Sequence, residues 1–202
     1  MLKGADRNQD HAQNELFQYY TKDILNNDDF HRLRNISNHG STDLYTHCIN
    51  VSIRSMRFCQ KIGLDAKAAS RSGLLHDFYL YDWRKGEGPR WHGFRHGRIS
   101  LMESLKRFEL TDKEQNIILR HMWPLTSIPP SSLEGLVVSI IDKICAVEEI
   151  IHVEDSEVSH FKNDLSTRDE SFSKRKSRFL FKGPFFIKAR IIASRSKALI
   201  TG

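Results

Sequence analysis

The sequence predicts an all-α protein with a short basic C-terminal extension, and three observations support this class. Apolar residues recur at helical spacing in several segments; Leu16, Tyr19 and Ile24, for example, follow a period close to 3.6 residues. Two stretches, Thr111 to Glu114 and Ser131 to Glu134, have the pattern of capping boxes that open helices. No segment before residue 156 alternates apolar and polar residues as a half-buried strand does.

Seven helical segments are predicted in chain order, at residues 15–25, 30–36, 44–62, 66–76, 95–108, 111–121 and 131–152. Gly63 ends the third segment and Asp65 caps the fourth. Residues 78–93 are rich in glycine, aromatic and charged residues and contain Pro89, so we predict a loop there. In the last helix we expect the aliphatic side to face the core; its residues are Leu136, Val137, Ile140, Ile141, Ile144, Val147 and Ile151.

Length and composition narrow the class of protein further. The chain has 202 residues, which predicts one main domain with a core that needs no disulfide. A hydrophobic fraction of 39% argues against a disordered chain, and no apolar run approaches the about 20 residues of a membrane span. The start of the chain lacks an apolar leader, and the three cysteines form no CxxC pair. We therefore expect a cytoplasmic protein with no membrane partner, disulfide framework or thiolate zinc site.

The positive charge of the chain lies mainly at its C-terminal end. Residues 161–202 carry eleven Lys and Arg against three acidic residues, a net charge of +8, although the whole chain has only +6. We therefore divide the chain into an N-terminal helical segment (1–35), a central domain (36–155) and a basic extension (156–202). The extension contains two apolar clusters separated by Gly183-Pro184, which predicts two short strands. It is either a peripheral tail or a basic surface that meets RNA, DNA or another anionic partner.

Several histidines and acidic residues lie within apolar helical segments, where polar side chains are costly. His47 follows Leu44 and Tyr45, and Asp142 lies in the middle of the last helix, among valines and isoleucines. The pair His76-Asp77 follows two leucines at a helix end, and His121 has a similar position. Each alone is compatible with a hydrogen-bonded core residue. Together they are the ligand types that hold a divalent metal of hard or borderline character.

The order of these residues resembles the H…HD…D pattern of the HD-domain metal-dependent phosphohydrolase superfamily. His47, the pair His76-Asp77 and Asp142 form the pattern, and His96 and His121 match the two additional histidines of its binuclear branch. The resemblance covers about residues 35 to 152. The pair is followed by Phe78-Tyr79, not by Gly-Tyr-Pro, so the chain departs from the cyclic-dinucleotide esterases and is closer to another bacterial subgroup.

The resemblance implies a helical bundle that binds one or two divalent ions, of Fe, Mn, Ni, Co, Zn or Mg. It assigns His47, His76, Asp77 and Asp142 to a first ion, and Asp77, His96 and His121 to a second. It also implies metal-activated water that attacks a phosphomonoester or phosphodiester. The resemblance does not fix the substrate, and our hypothesis is a small-molecule phosphoester, with a nucleotide as the expected substrate. Asp77 has the catalytic role of joining both ions. Arg95, Arg120 and Lys143 adjoin the proposed ligands and either neutralise phosphate oxygens or are surface charges.

Other functions remain open at this point. Some proteins that resemble this superfamily are di-iron oxygenases with the same ligand types, and the histidines could instead belong to a non-catalytic interaction module. Whether His39 and His92 join the site is open, because His92 lies four residues before His96 but is followed by Gly93. The oligomeric state is not predicted.

Overall fold

The computed structural model describes residues 3–38 and 42–151, with side chains from residue 12 onward. It confirms the all-α class, because this part of the chain forms helices and no strands. The helices are α1 (Lys3–Leu25), α2 (Asp28–His31), α3 (Leu44–Lys61), α4 (Ala66–Leu75), α5 (His92–Leu105), α6 (Asp112–Arg120) and α7 (Leu133–Ile150), with short 3₁₀ helices at Arg32–Asn35 and Trp83–Lys85. His39 and the predicted basic extension lie outside the described residues.

Helices α3, α4 and α7 pack against one another and form the centre of the bundle. Helices α3 and α4 approach closely at Gly73, where an added Cβ atom would lie 2.6 Å from the Cα atom of Ser52. Helix α6 packs on α4 and α7, α5 packs on α6, and α1 packs on α4. This arrangement brings the ends of several helices to one region. Within the described residues, no helix is long and apolar enough to cross a membrane.

A buried arginine fixes α4 between two other helices. Arg71 is only 7% exposed, and a buried charge of this kind is costly unless it is paired. Its Nη1 lies 2.6 Å from Asp23 Oδ1 on α1, and its Nε lies 2.9 Å from Glu114 Oε1 on α6. These two ion pairs set the position of α4, whose C-terminal end carries His76.

Capping side chains begin two helices at the predicted places, Asp65 before α4 and Thr111 before α6. The Thr111–Glu114 capping box is confirmed: Thr111 Oγ1 accepts from the backbone N–H of Glu114, and the Glu114 carboxylate accepts from the backbone N–H of Thr111. The second predicted box is wrong. Ser132, not Ser131, caps α7, while Glu134 accepts a hydrogen bond from the backbone N–H of Asp65 at 3.1 Å.

Three helices begin earlier in the chain than predicted, and one of them is α2, which begins at Asp28 and not at residue 30. Helix α1 begins at Lys3 and not at residue 15. Helix α5 begins at His92 and not at residue 95, because Trp91 has a left-handed conformation (φ 62°, ψ 40°) that turns the chain directly into the helix. Gly93 in the first turn does not prevent this. The earlier start places His92 one helical turn before His96.

The buried side of α7 is not the aliphatic side that the sequence pattern favoured. Ile140, Ile144 and Val147 are exposed by 53%, 46% and 57%, so the prediction is wrong for them, whereas Val137 and Ile141 are partly buried against the core. The buried side instead carries polar residues together with smaller apolar ones: Glu134, Gly135, Val138, Ser139, Asp142, Cys145 and Glu149. Its polar groups are satisfied by partners on other helices, and this pairing determines which side is buried.

Candidate metal centre

Six side chains from five helices meet in the interior of the bundle. His47 lies in the first turn of α3, and His76 directly follows α4 with Asp77 next to it. His96 lies in α5 and His121 directly follows α6. Asp142 comes from the middle of α7. Each of the four histidines is at least 94% buried, since the most exposed of them, His96, is 6% exposed.

One group of side chains surrounds the carboxylate of Asp142. Its Oδ1 lies 3.2 Å from His47 Nε2 and 3.5 Å from His76 Nε2. Ligand atoms of these three residues all lie within 4.8 Å of one another, which is close enough for a single metal ion to contact all three.

A second group surrounds the carboxylate of Asp77. Its Oδ1 lies 3.2 Å from His96 Nε2 and 3.5 Å from His121 Nε2. His76 Nε2 is 3.7 Å from the other oxygen, Oδ2. His76, Asp77 and His121 again have ligand atoms within 4.8 Å of one another, so His76 belongs to both groups.

The hydrogen bonds of three histidines show which ring nitrogen faces inward without a proton. The Nδ1 atoms of His76, His96 and His121 lie 2.9, 3.2 and 2.8 Å from backbone carbonyl oxygens, so each Nδ1–H donates to a carbonyl. In the neutral rings, Nε2 then carries a lone pair and can only accept a hydrogen bond. It faces carboxylates, which are also hydrogen-bond acceptors.

Several of these inward atoms lack a hydrogen bond, which fits a cation site. His76 Nε2 and Asp77 Oδ1 are buried and have no hydrogen-bond partner within the described part of the chain. The Nε2 atoms of His96 and His121 are only 2.9 Å apart, so they must share a proton or face a common cation. A divalent metal satisfies all of these acceptors at once, and the donor set of imidazoles and carboxylates suits it.

The acidic side chains of the centre are held in their charged form. Burial raises the pKa of Asp77, but the adjacent His76 and His96 outweigh this effect and hold that pKa well below its ordinary value. Burial likewise raises the pKa of Asp142, but the neighbouring His47 and His76 outweigh this effect and hold that pKa well below its ordinary value. Both carboxylates are therefore ionised at neutral pH and available to a metal.

The histidines of the centre differ from one another in their pKa. Burial lowers the pKa of His47, but Asp142 and Glu149 outweigh it and raise that pKa to about 10. Burial lowers the pKa of His121. Burial also opposes the charged form of His96, but Asp77 raises its pKa overall. Without a metal, His47 is therefore protonated at neutral pH.

Glu149 is a part of this centre that sequence reasoning missed. Its two carboxylate oxygens lie 3.0 and 3.1 Å from His47 Nδ1, and it also accepts a hydrogen bond from Asn50 Nδ2 at 3.2 Å. A carboxylate on Nδ1 orients the ring and directs Nε2 toward a metal. The sequence did contain one indication that Glu149 belongs to the centre. It lies seven residues, or two helical turns, after Asp142 and therefore on the same side of α7.

A cavity of about 710 Å³ opens onto the centre. Its lining includes three of the six residues of the centre, Asp77, His96 and Asp142, and also Lys143. Lys143 Nζ donates to the carbonyl oxygen of His121 at 3.0 Å and lies 3.5 Å from Asp142 Oδ2. A ligand in this cavity can therefore reach both the carboxylates and a cationic side chain.

The structure does not bring all of the predicted cationic residues to the cavity. Arg95 is exposed and is not part of the cavity lining, and Arg120 is half-buried and also outside it. His92 does line the cavity. Its Nδ1 lies 3.0 Å from the hydroxyl oxygen of Tyr81, and its ring stacks on His96 with a centroid distance of 4.9 Å. Burial and the neighbouring His96 lower the pKa of His92 to about 4.

The fold and this cluster define a class: all-helical proteins with a histidine and aspartate metal centre between the helices. The family model of the HD domain matches residues 44–147, more than half of the chain, and the protein belongs to the HD-domain family. This family consists mostly of metal-dependent hydrolases, and its domains bind divalent metals. No curated protein and no solved structure matches the chain significantly.

Proposed function

We propose that this protein is a metal-dependent phosphohydrolase that cleaves a phosphomonoester or phosphodiester, with a nucleotide as the expected substrate. The observation that carries the proposal is the set of buried acceptor atoms that converge without hydrogen-bond donors. His76 Nε2 and Asp77 Oδ1 are the clearest of these atoms. Asp77 also lines a cavity of about 710 Å³, and this volume suits a small molecule.

The distances support a division of the ligands between two ions. We assign His47, His76, Asp77 and Asp142 to the first ion, and Asp77, His96 and His121 to the second. The 3.7 Å between His76 Nε2 and Asp77 Oδ2 keeps Asp77 within reach of the first group, while its Oδ1 faces His96 at 3.2 Å. Divalent ions bound here supply positive charge for phosphate oxygens and lower the pKa of a bound water toward 7.

The side chains around the cavity bind and orient the substrate in this proposal. Lys143 Nζ is held by the carbonyl oxygens of His121 and Ser139, both at 3.0 Å, so its charge has a fixed place beside the centre. We propose that it neutralises an oxygen of the phosphate group. Because Arg95 lies outside the cavity lining, Lys143 takes this role without it.

The proposal extends to the cellular compartment and to the basic extension. Cys48, Cys59 and Cys145 are buried and free, which supports a reducing compartment such as the cytoplasm. Nucleic-acid binding by residues 156–202 stays a prediction, and such binding should weaken steeply as salt is added.

A hydrolysis assay with controlled metal content tests the function. The chelated protein and the same protein reloaded separately with Mn²⁺, Fe²⁺, Co²⁺, Ni²⁺, Zn²⁺ or Mg²⁺ are incubated with a panel of nucleotides and other phosphoesters. We expect phosphate or alcohol release only after reloading. Equal rates with and without metal would refute the proposal, and dioxygen consumption by the iron-loaded protein without hydrolysis would favour an oxygenase.

A further inference from the structure

A large aromatic side chain in the cavity lining is mostly exposed to solvent. Trp91 lines the cavity and is 73% exposed, and its recorded ring neighbour is Phe94, at a centroid distance of 6.4 Å. Because the Trp91 indole is exposed to water, the protein lacks the folding free energy that burial of this ring would contribute. Such a side chain at the wall of a ligand cavity is available for contact with a ligand.

The backbone at Trp91 is held in a conformation that bulky residues rarely adopt. Its φ of 62° lies in the left-handed region, where a side chain with a Cβ is strained. The preceding loop also needs this region at Gly88 (φ 80°), where any side chain would collide with the Tyr81 ring. The conformation of this loop places Trp91 in the cavity lining. Backbone strain of this kind concentrates at functional sites.

A separate stack of rings in the same cavity lining reaches the metal centre. The Trp83 ring stacks on His92 with centroids 5.3 Å apart and an angle of 11°, and His92 stacks on His96 at 4.9 Å and 20°. Tyr79 meets the edge of His92 at 4.8 Å. This side of the cavity therefore presents an aromatic surface, while its inner end carries carboxylates and histidines.

We propose that Trp91 binds a planar aromatic ring of the substrate by stacking, while the phosphoester reaches the metal centre. The inference rests on the proposed function and adds the residue that recognises the base of the expected nucleotide, so that the site prefers nucleoside phosphates to simple sugar phosphates. The cavity of about 710 Å³ has room for both parts of such a molecule. Arg90, also in the lining, can contact either the ring face or an anionic group.

Kinetics with matched substrates test the stacking role. The metal-loaded full chain is assayed with adenosine or uridine 5′-monophosphate and with ribose 5-phosphate, which lacks the base. In the wild type we expect a higher kcat/KM for the nucleotides, carried mainly by KM. Trp91→Ala should lower this preference about tenfold, while Trp91→Phe should keep most of it. Tyr19→Ala is the control, since Tyr19 is an aromatic residue on α1 that is 79% exposed and outside the cavity lining.

Ligand-observed NMR separates this inference from the proposed function. Adenosine, uridine and ribose contain no phosphoester, so their binding does not depend on hydrolysis. We expect the two nucleosides, but not ribose, to bind the wild type, and Trp91→Ala to weaken their binding about tenfold. Nucleoside binding that depends on Trp91 supports the stacking role even if no phosphoester is cleaved. An unchanged nucleotide preference and unchanged nucleoside binding in Trp91→Ala overturn it, even if hydrolysis is confirmed.

Discussion

The neighbouring residues His76 and Asp77 contact side chains of two different helices. His76 Nε2 lies 3.5 Å from Asp142 Oδ1, while Asp77 Oδ1 lies 3.2 Å from His96 Nε2. Adjacent residues at a helix end point in directions about 100° apart, so a pair of neighbours can face two partners. The pair thereby connects α4 to both α7 and α5.

Glu149 offers the sharpest test at the residue scale. Glu149→Gln keeps an oxygen that can accept from His47 Nδ1, but it removes the negative charge that supports the ring. We expect metal affinity to fall by about 10- to 100-fold with little loss of folding stability. Isothermal titration calorimetry on metal-free protein measures the affinity, and thermal melting measures the stability.

The adjacent Glu148 is the matched control for this variant. Its carboxylate is 29% exposed and pairs with Arg54 at 2.5 Å, away from the histidines. Glu148→Gln should therefore leave metal affinity unchanged. If Glu149→Gln binds metal as tightly as the wild type, the supporting role of Glu149 is wrong.

At the scale of helices, the sequence predicted where most elements lie but not which side of each faces inward. Capping residues and glycines act locally, so Asp65, Thr111 and Gly63 marked helix ends correctly. The buried side of α7 depends on partners from other helices. Asp142 and Glu149 are buried there because His47 lies between them, and a pattern of hydrophobicity along one helix contains no such information.

The same reasoning explains what was predictable in the candidate site. The six proposed ligands were predicted from polar residues in apolar surroundings and from a resemblance of motifs, and the structure places them side by side. Glu149 occurs beside Glu148 near the end of α7, where charged residues are common, so its burial had no local signal. Trp91 was placed in a loop because residues 78–93 are rich in glycine, aromatic and charged residues, and nothing in that pattern indicates its left-handed conformation, which is unusual for a bulky residue.

The contact between α3 and α4 gives a prediction at this scale. Gly73→Ala places a methyl group 2.6 Å from the backbone of Ser52 and pushes the two helices apart. We expect a loss of about 1–3 kcal/mol in the free energy of unfolding. Metal affinity should fall as well, because Gly73 O accepts the hydrogen bond from His76 Nδ1. Chemical denaturation and calorimetry measure the two effects.

Gly93→Ala on α5 is the appropriate comparison. The nearest atom to the added methyl group is Leu125 Cδ2 at 3.7 Å, an ordinary van der Waals distance. Alanine in a helix is favoured over glycine by about 0.5–1 kcal/mol, so this variant should be no less stable than the wild type. Equal stability of Gly73→Ala and Gly93→Ala would show that the close packing of α3 on α4 is not required.

For the whole molecule, pH should affect metal binding and metal-free stability in opposite directions. The pKa of His47 is raised from 6.5 to about 10, so its paired charge stabilises the metal-free protein fully below pH 6.5. This contribution is lost as pH rises toward 10. A metal must displace the His47 proton, so its affinity should increase up to about tenfold per pH unit between about pH 7 and 9.

Calorimetry in buffers of different ionisation enthalpy counts the protons released when the metal binds. We expect about one proton per chain from His47 near neutral pH. Melting of the metal-free protein over the same pH range measures the opposite trend. A metal affinity that does not change between pH 6.5 and 8.5 would contradict the assignment of His47 as a ligand.

The central claim is that the six buried histidine and aspartate side chains hold divalent metal, and counting bound ions tests it most directly. Metal-free protein is incubated with each candidate metal, passed through a desalting column and analysed for metal and for melting temperature, alongside Asp77→Ala. The account predicts one or two ions per wild-type chain, a higher melting temperature on loading, and loss of the ions in Asp77→Ala. A wild-type chain that retains no divalent metal, or an Asp77→Ala chain that retains the same number of ions, would contradict it.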